Sequence, residues 1–321
     1  MNLVKAFNLM SNNKVFLDYS KIFNKDKNLY LGNKLLHAFF AIKLASKWNI
    51  KLIFPKNSCF ENLFKIKKKY ILKNYKKPNL NYSEFSAFEI YRSSNIISFY
   101  FNFLKSYIFT EKYKLKKIFQ DSKKQYLEHS KILKNKFSEK DFYIKGNFWH
   151  YNLMPSSYEI KKYLIIKDKL KKKIKRLFPD LTKKNTIVVH LRGGDYKNHL
   201  NNYFNKTILI DKEYYQKSIN FFKKKIGKKA KFYFLTNDVN LLNKYLDGIQ
   251  IEKKIIKGYD AYFDWACLML AKNIIQSNSS FCWTASLFNK INSTQPKNGY
   301  AYNYKIGPIP FGFYMKNSKI I

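Results

Sequence analysis

The chain has 321 residues, 46% of them hydrophobic, enough for two domains of about 150 residues each and unlike the composition of a disordered polymer. Its formal charge is +41, from 62 lysines and arginines against 21 acids, and its three cysteines are too few and too apolar in context for a disulfide scaffold or a zinc site. No window of about 20 residues is uniformly apolar and uncharged, and Met1 to Lys14 shows no apolar stretch with a cleavage site, so neither a membrane span nor a signal peptide is expected.

In chain order, Leu31 to Lys34 reads as a loop that opens a helix. Asn33 precedes Leu35, Leu36, Phe39, Phe40, Ile42 and Leu44, an apolar stripe at helical spacing. Trp48 to Pro55 then turns extended. Residues 60–140 are rich in Lys, Tyr and Phe with few glycines, which predicts helices and connectors. Tyr143 to Trp149 reads as a strand leading into a polar turn. Residues 161–178 predict one amphipathic helix, with Tyr163, Ile166, Leu170, Ile174 and Leu177 on one stripe and lysines opposite, ended by Pro179-Asp180.

From residue 185 the pattern becomes regular. A buried strand, Thr186 to Leu191, meets a polar turn. A helix opened by Asp211 follows, with Tyr214, Tyr215, Ile219 and Phe222 inward. Lys231 to Leu235 is a second strand ending in Thr236-Asn237-Asp238, and a third extended stretch lies near Ile251 to Ile256. A helix from Tyr262 to Lys272 precedes a short strand, Asn273 to Gln276, which ends in Ser277 to Ser280. Alternating strands and helices imply a mostly parallel sheet with right-handed crossovers. The polar clusters at 190–196, 236–238 and 277–280 would then share the carboxyl edge of that sheet, where such folds bind ligands.

The turn His190-Leu191-Arg192-Gly193-Gly194-Asp195-Tyr196 is the most informative segment. Only three of the 62 basic residues are arginine (Arg92, Arg176 and Arg192), and one of them stands here. A guanidinium can hold a phosphate bidentately, which an ammonium cannot, so the turn reads as a phosphate site. Each residue also has a plain structural use. Arg192 would be a surface residue in a turn, and His190 would satisfy a backbone carbonyl. Gly193-Gly194 would permit a tight turn and Asp195 would cap it. Asn33, Ser279 and Ser280 would be helix N-caps, and Trp283 would be core. The abundance of Lys, Asn, Ile, Phe and Tyr matches an AT-rich coding bias, so most of the charge reads as a solvated surface. An anionic membrane is the next reading of it. Nothing matches a nucleic-acid-binding module, and no nucleic-acid partner is expected.

The turn resembles the His-x-Arg-Arg-Gly-Asp-Tyr motif of family 11 glycosyltransferases, the α-1,2-fucosyltransferases. Leu31-Gly32-Asn33-Lys34 is similar to that family's Gly-Leu-Gly-Asn-Gln loop. Asp264 to Asn289, with Leu268, Lys272 to Ile275, Asn278-Ser279-Ser280-Phe281 and Trp283, resembles its Asn-Ser-Ser-Phe-Ser-Trp-Trp block. Tyr214-Tyr215 and Phe234 to Asp238 are smaller echoes. Together these cover roughly residues 30–55 and 143–290, in the family's order. Gly193 replaces the motif's second Arg, Lys34 the loop Gln, and Thr284 the second Trp.

The resemblance implies an α/β, GT-B-like fold of two Rossmann-like domains with mostly parallel sheets and a helix-rich N-terminal half. The acceptor side would occupy residues 1–165 and the GDP-sugar side 166–321. It implies inverting transfer of L-fucose from GDP-β-L-fucose, the donor substrate, to a galactoside 2-hydroxyl on a free or lipid-linked acceptor in surface glycan (lipopolysaccharide) synthesis. No metal and no cofactor are expected, and no Asp-x-Asp occurs in the chain. Arg192 would grip the diphosphate with His190, Gly32, Asn33, Asp238, Ser279 and Ser280 around it. Asp195 is the candidate general base. The protein would be cytoplasmic, peripheral to the inner face of the cytoplasmic membrane. The alternatives are a same-fold enzyme using another GDP-sugar or linkage, and a basic peripheral protein that holds a phosphate ligand without turnover.

Overall fold

The computed structural model describes residues 14–17, 31–49, 51–55, 58–72, 130, 141–144, 150–194, 196, 209–289, 291–297, 314–315 and 317–321. The chain divides into two compact units, Met1–Ile166 and Lys167–Ile321. Most of the 60–140 segment expected to be helical, and the polar turn after Ile144, lie outside the described residues.

In the N-terminal unit, β1 (Lys14–Leu17) is followed by α1 (Leu31–Trp48) and β2 (Lys51–Pro55). The expected stripe of α1 is widened to nearly the whole helix. Ala38, Ala41 and Ala45 are buried along with Leu35, Leu36, Phe39, Phe40, Ile42 and Leu44, so the helix is enclosed on almost all sides. Asn49, in the left-handed region at φ +52°, ends it and lets the chain reverse into β2. Next come α2 (Phe60–Leu63), β3 (Phe64–Ile66), β4 (Ile71–Leu72), β5 (Asp141–Ile144) and α3 (Ser157–Tyr163). The strands β4-β2-β1-β5 form a parallel sheet in that order. A capping box between Ser156 and Glu159 starts α3, and Lys43 of α1 pairs with Glu159 at 3.4 Å.

One helix was expected over 161–178, and the structure breaks it. Its first turn belongs to α3. Leu164–Ile166 is a strand, β6, paired antiparallel with Phe64–Ile66, and a new helix, α4 (Asp168–Leu177), begins beyond it. The pair Ile165-Ile166 is β-branched and favours extended backbone, and β3 supplies the partner edge. The helical spacing of Tyr163, Ile166, Leu170 and Ile174 is therefore a coincidence of two elements. In α4 only Ile174 is buried, and Leu177, expected to face inward, is 38% exposed.

The C-terminal unit runs β7 (Thr186–Leu191), α5 (Lys212–Ile226), β8 (Lys231–Thr236), α6 (Val239–Leu246), β9 (Lys253–Ile256), α7 (Ala261–Leu270), β10 (Asn273–Ile275), α8 (Ser280–Phe288), β11 (Asn292–Gln295) and β12 (Ser318–Ile320). The first strand, the helix opened by Asp211, the second and third strands and β10 lie where the sequence puts them. Helix α6 and strands β11 and β12 are additions. All six strands are parallel, in the order β12-β11-β10-β7-β8-β9. Counted from β7 this is 6-5-4-1-2-3, the Rossmann order, with its switch point between β7 and β10.

The period of two along β7 decides which helices its side chains meet. Ile187, Val189 and Leu191 pack with Tyr215, Ile219 and Phe222 of α5 and Leu242 of α6. His190 therefore faces the opposite layer, where α7 and α8 lie. All six residues of β7 are buried, as expected for a central strand covered on both faces.

Candidate functional site

Because the sheet is parallel, the turns after β7, β8 and β10 leave at one edge, and three of the predicted site segments meet there. The link across the switch point is His190. Its Nδ1 lies 2.8 Å from Ser277 Oγ, and its ring stacks on Phe281 of α8, with centroids 5.6 Å apart and planes at 25°. The backbone carbonyl of His190 accepts from Tyr215 Oη. Burial, with the neighbouring Arg192 charge as a second cause, pushes the imidazole down to about 3, so His190 is neutral at physiological pH. Its ring engages the Ser277 hydroxyl, not the carbonyl expected of a plain strand-end histidine.

Arg192 follows at the strand's end, half-buried, with its guanidinium carbon 5.2 Å from the centre of the Tyr196 ring. A cation at this distance from a ring is attracted by the ring's quadrupole, so Tyr196 helps to hold the guanidinium in place. Gly193 and Gly194 then form a turn that rests on the Asn237-Asp238 corner. The Gly193 N–H donates to Asn237 Oδ1 at 2.9 Å and the Gly194 N–H to Asp238 Oδ2 at 3.2 Å. Gly194 is at φ +52°, and a Cβ on Gly193 would come within 2.6 Å of Asp238 Cβ. The residue where the resembled motif has its second arginine is thus held against the corner too closely for any side chain. Asp195, the nominated base, lies outside the described residues.

Among the described residues, four helices begin at this edge, each capped by a side chain. Asp211, Asp238 and Asp260 accept from the amides of Tyr214, Leu241 and Phe263 at 3.0, 2.9 and 2.8 Å, and Ser279 accepts from Phe281 N at 3.3 Å. Three of these caps are carboxylates, which offset the positive helix end. The cap of α8 is an uncharged hydroxyl, and α8 has no acid in its first turn. The start of α8, with Ser279 as its N-cap and Ser280 as its first residue, therefore keeps the field that attracts an anion. The loop before it is fixed by Cys282, whose thiol donates to the carbonyls of Ser277 and Ser279, and burial pushes that thiol up to about 11. Asp238 was expected among the donor contacts. Its two oxygens accept from the amides of Leu241 and Gly194.

The structure accounts for the departure at Thr284. Its Oγ1 accepts from the buried Trp265 indole N–H at 3.0 Å, which ties α7 to α8. Trp283 is buried, the core position its plain reading gave. Gly32 and Asn33 belong to the N-terminal unit. They sit inside the first turn of α1, not in a loop before it, so Asn33 is not the N-cap. Two groups were overlooked in the sequence. Asp264, in the first turn of α7, has its carboxyl raised to about 7 by burial and then by Asp260. His150, N-cap of the short turn Tyr151–Leu153, is lowered to about 4 by burial, and its Nδ1 accepts from Asn152 N. A perturbed acid near a ligand-binding edge is a signal that only burial reveals.

Two α/β units, each built on a parallel sheet and the second carrying Rossmann strand order with an arginine turn at its switch point, give the GT-B-like class. The chain belongs to glycosyl transferase family 11, whose pattern matches residues 27–303. Fucosyltransferase NodZ from Bradyrhizobium is similar in structure, with a TM-score of 0.48 and 13% identity over 87% of this chain and 92% of that one. NodZ alpha-1,6-fucosyltransferase soaked with GDP-fucose gives 0.48 at 12% identity over 87% and 93%. POFUT1 in complex with GDP gives 0.46 at 15% identity over 88% and 98%. No curated protein sequence matches significantly.

Proposed function

We propose that the protein is an inverting α-1,2-fucosyltransferase acting on GDP-β-L-fucose and a galactoside, free or lipid-linked, in surface glycan synthesis. The observation that supports this reading is that Arg192 and the start of α8 follow neighbouring strands, β7 and β10, whose ends are joined by the His190–Ser277 contact. The galactose 2-hydroxyl oxygen attacks C1 of fucose from the face opposite the phosphate. The C1–O bond to the diphosphate breaks, and GDP leaves with the bonding electrons. Arg192 and the uncompensated end of α8 offset the charge that develops on the diphosphate. Neutral His190 adds no charge of its own but fixes the strand end from which Arg192 projects. The hydroxyl proton passes to a carboxylate, for which Asp195 is the nominee.

In this reading the diphosphate charge is met by protein groups and no metal is required. The protein acts in the cytoplasm, peripheral to the inner face of the cytoplasmic membrane, where the exposed lysines of α4 meet anionic headgroups. Purified protein with GDP-fucose and lactose should release GDP and form a product heavier by one deoxyhexose, α-linked to the galactose 2-hydroxyl. Binding of a different nucleotide sugar, with none of GDP-fucose, would keep the fold and overturn the donor.

A further inference from the structure

We propose that Asn237 and Asp238 are positioning residues for Arg192, an inference that rests on reading Arg192 as the diphosphate-binding group. The turn Arg192-Gly193-Gly194 is tied to this corner by the two amide bonds given above, Gly193 to Asn237 Oδ1 and Gly194 to Asp238 Oδ2. The corner is itself rigid. Asp238 Oδ1 caps α6 through Leu241 N, the Asp238 N–H donates to Thr236 Oγ1 at 3.0 Å, and Thr236 Oγ1 donates back to the Asp238 carbonyl at 3.2 Å. The end of β8 and the start of α6 thus form a fixed bracket, and consecutive amides of the arginine turn hang from it.

Gly193 is the enabling substitution. A Cβ there would meet Asp238 Cβ at 2.6 Å, Asp238 Oδ2 at 2.9 Å and Leu241 Cδ2 at 2.9 Å, so only glycine lets the turn come this near. The Tyr196 ring centre lies 5.2 Å from the guanidinium carbon, and the Tyr196 N–H donates to the Gly193 carbonyl at 3.1 Å. Where the resembled motif places a second arginine side chain, this chain has a backbone contact. The corner restrains the one arginine that remains. A guanidinium that swings keeps its charge but not its fork, so a loosened turn weakens the bidentate hold without removing the charge.

Two variants separate this role from a merely structural one. Asp238→Asn keeps an oxygen to cap α6, since Asn is as good an N-cap as Asp, but puts an NH₂ opposite the Gly194 amide. Asn237→Ala removes the acceptor for Gly193. Calorimetry with GDP on the full chain should show each single variant binding about 3- to 10-fold more weakly than wild type, the range one hydrogen bond supports. In an Arg192→Lys background each should cost less than about twofold, because the group they position is gone. Equal losses in both backgrounds, or wild-type binding by both single variants, would overturn the positioning role while leaving the Arg192 reading intact. No GDP binding by the wild type, or undiminished binding by Arg192→Lys, would remove the donor-site reading and this proposal with it.

Discussion

Acidification should destabilise the C-terminal unit through His190, and the size of the effect follows from its burial. Its pKa falls from the ordinary 6.5 to about 3 in the folded chain. The unfolded chain therefore takes up a proton below pH 6.5 that the folded chain refuses. Stability from this group is complete above pH 6.5 and is lost as the pH falls toward 3. At pH 5 the loss is about 2 kcal/mol, and by pH 3 it approaches about 4–5 kcal/mol, taking 1.36 kcal/mol per unit and the shift to about 3. Other groups titrate over the same interval. His150 works in the same direction, from 6.5 to about 4. Asp264 works in the opposite one, since a carboxyl raised to about 7 contributes stability at low pH that is lost as the pH rises through 7. The comparison must therefore be a difference of differences. Urea titrations of wild type and His190→Gln at pH 8 and pH 5, read by tryptophan fluorescence, isolate the term, because Gln can still bond Ser277 but does not titrate. Trp265 and Trp283, both buried in this unit, report its unfolding. Wild type should lose about 2 kcal/mol more than the variant over that interval. Equal losses would mean that His190 is solvated or charged in the folded chain, and the neutral link across the switch point would fall.

Arg192→Lys should fold normally yet lose about 1.5–3 kcal/mol of donor binding, read by GDP calorimetry, since one charge remains and the fork is gone. Gly193→Arg, which restores the residue of the resembled motif, should lower stability by about 1–3 kcal/mol in urea because its Cβ overlaps Asp238; a more stable variant would refute the close approach. Thr284→Val should cost about 1–3 kcal/mol by the same assay, as the buried Trp265 N–H loses its acceptor. The full chain should bind anionic vesicles at low salt and leave them as ionic strength rises, with weaker binding to neutral ones; equal binding to both would count against an electrostatic membrane contact.

What could be read from the sequence depended on whether local pattern and tertiary environment agreed. Strand β7 was legible because Ile187, Val188, Val189 and Leu191 make it mostly apolar, as suits a strand covered on both faces. Helix α5 announced itself through Asp211 and an inward stripe. Strand β11 did not, because Asn292-Ser293-Thr294-Gln295 has no apolar residue to betray burial. Its side chains bond partners far along the chain: Ser318 for Ser293, Tyr214 for Thr294, and the Met315 amide for Gln295 Oε1. Helix α6 did leave a signal, an Asp at its cap with Leu241, Leu242 and Leu246 following. That signal was masked by reading Asp238 as a ligand contact. The site residues were legible as a set, since chain order fixes which turns share an edge of a parallel sheet. Their individual roles were not, because whether a carboxylate meets a ligand or a backbone amide is decided by neighbours about 44 residues away, as Asp238 is from Gly194.

The charge of this chain and the chemistry of its site are separate matters. Helix α4 carries Lys169, Lys172, Lys175 and Arg176 on exposed positions, where water screens them, and Lys173 over the Tyr259 and Phe263 rings. Such a surface raises the concentration of any polyanion without choosing among them. Arg192 is different in kind: half-buried, set against the Tyr196 ring, and placed on a turn whose next two amides are bonded to the Asn237-Asp238 corner. Arg176, solvated on α4, shows that an arginine alone marks no site; it is the setting of Arg192 that separates it. Setting distinguishes the acids as well. Asp211, Asp238 and Asp260 offset three helix ends at this edge of the sheet, and the end capped by Ser279 has no such carboxylate cap. Replacing Ser279 by Asp would extend the pattern of its neighbours and keep the cap, yet place a negative charge where the diphosphate is proposed to sit.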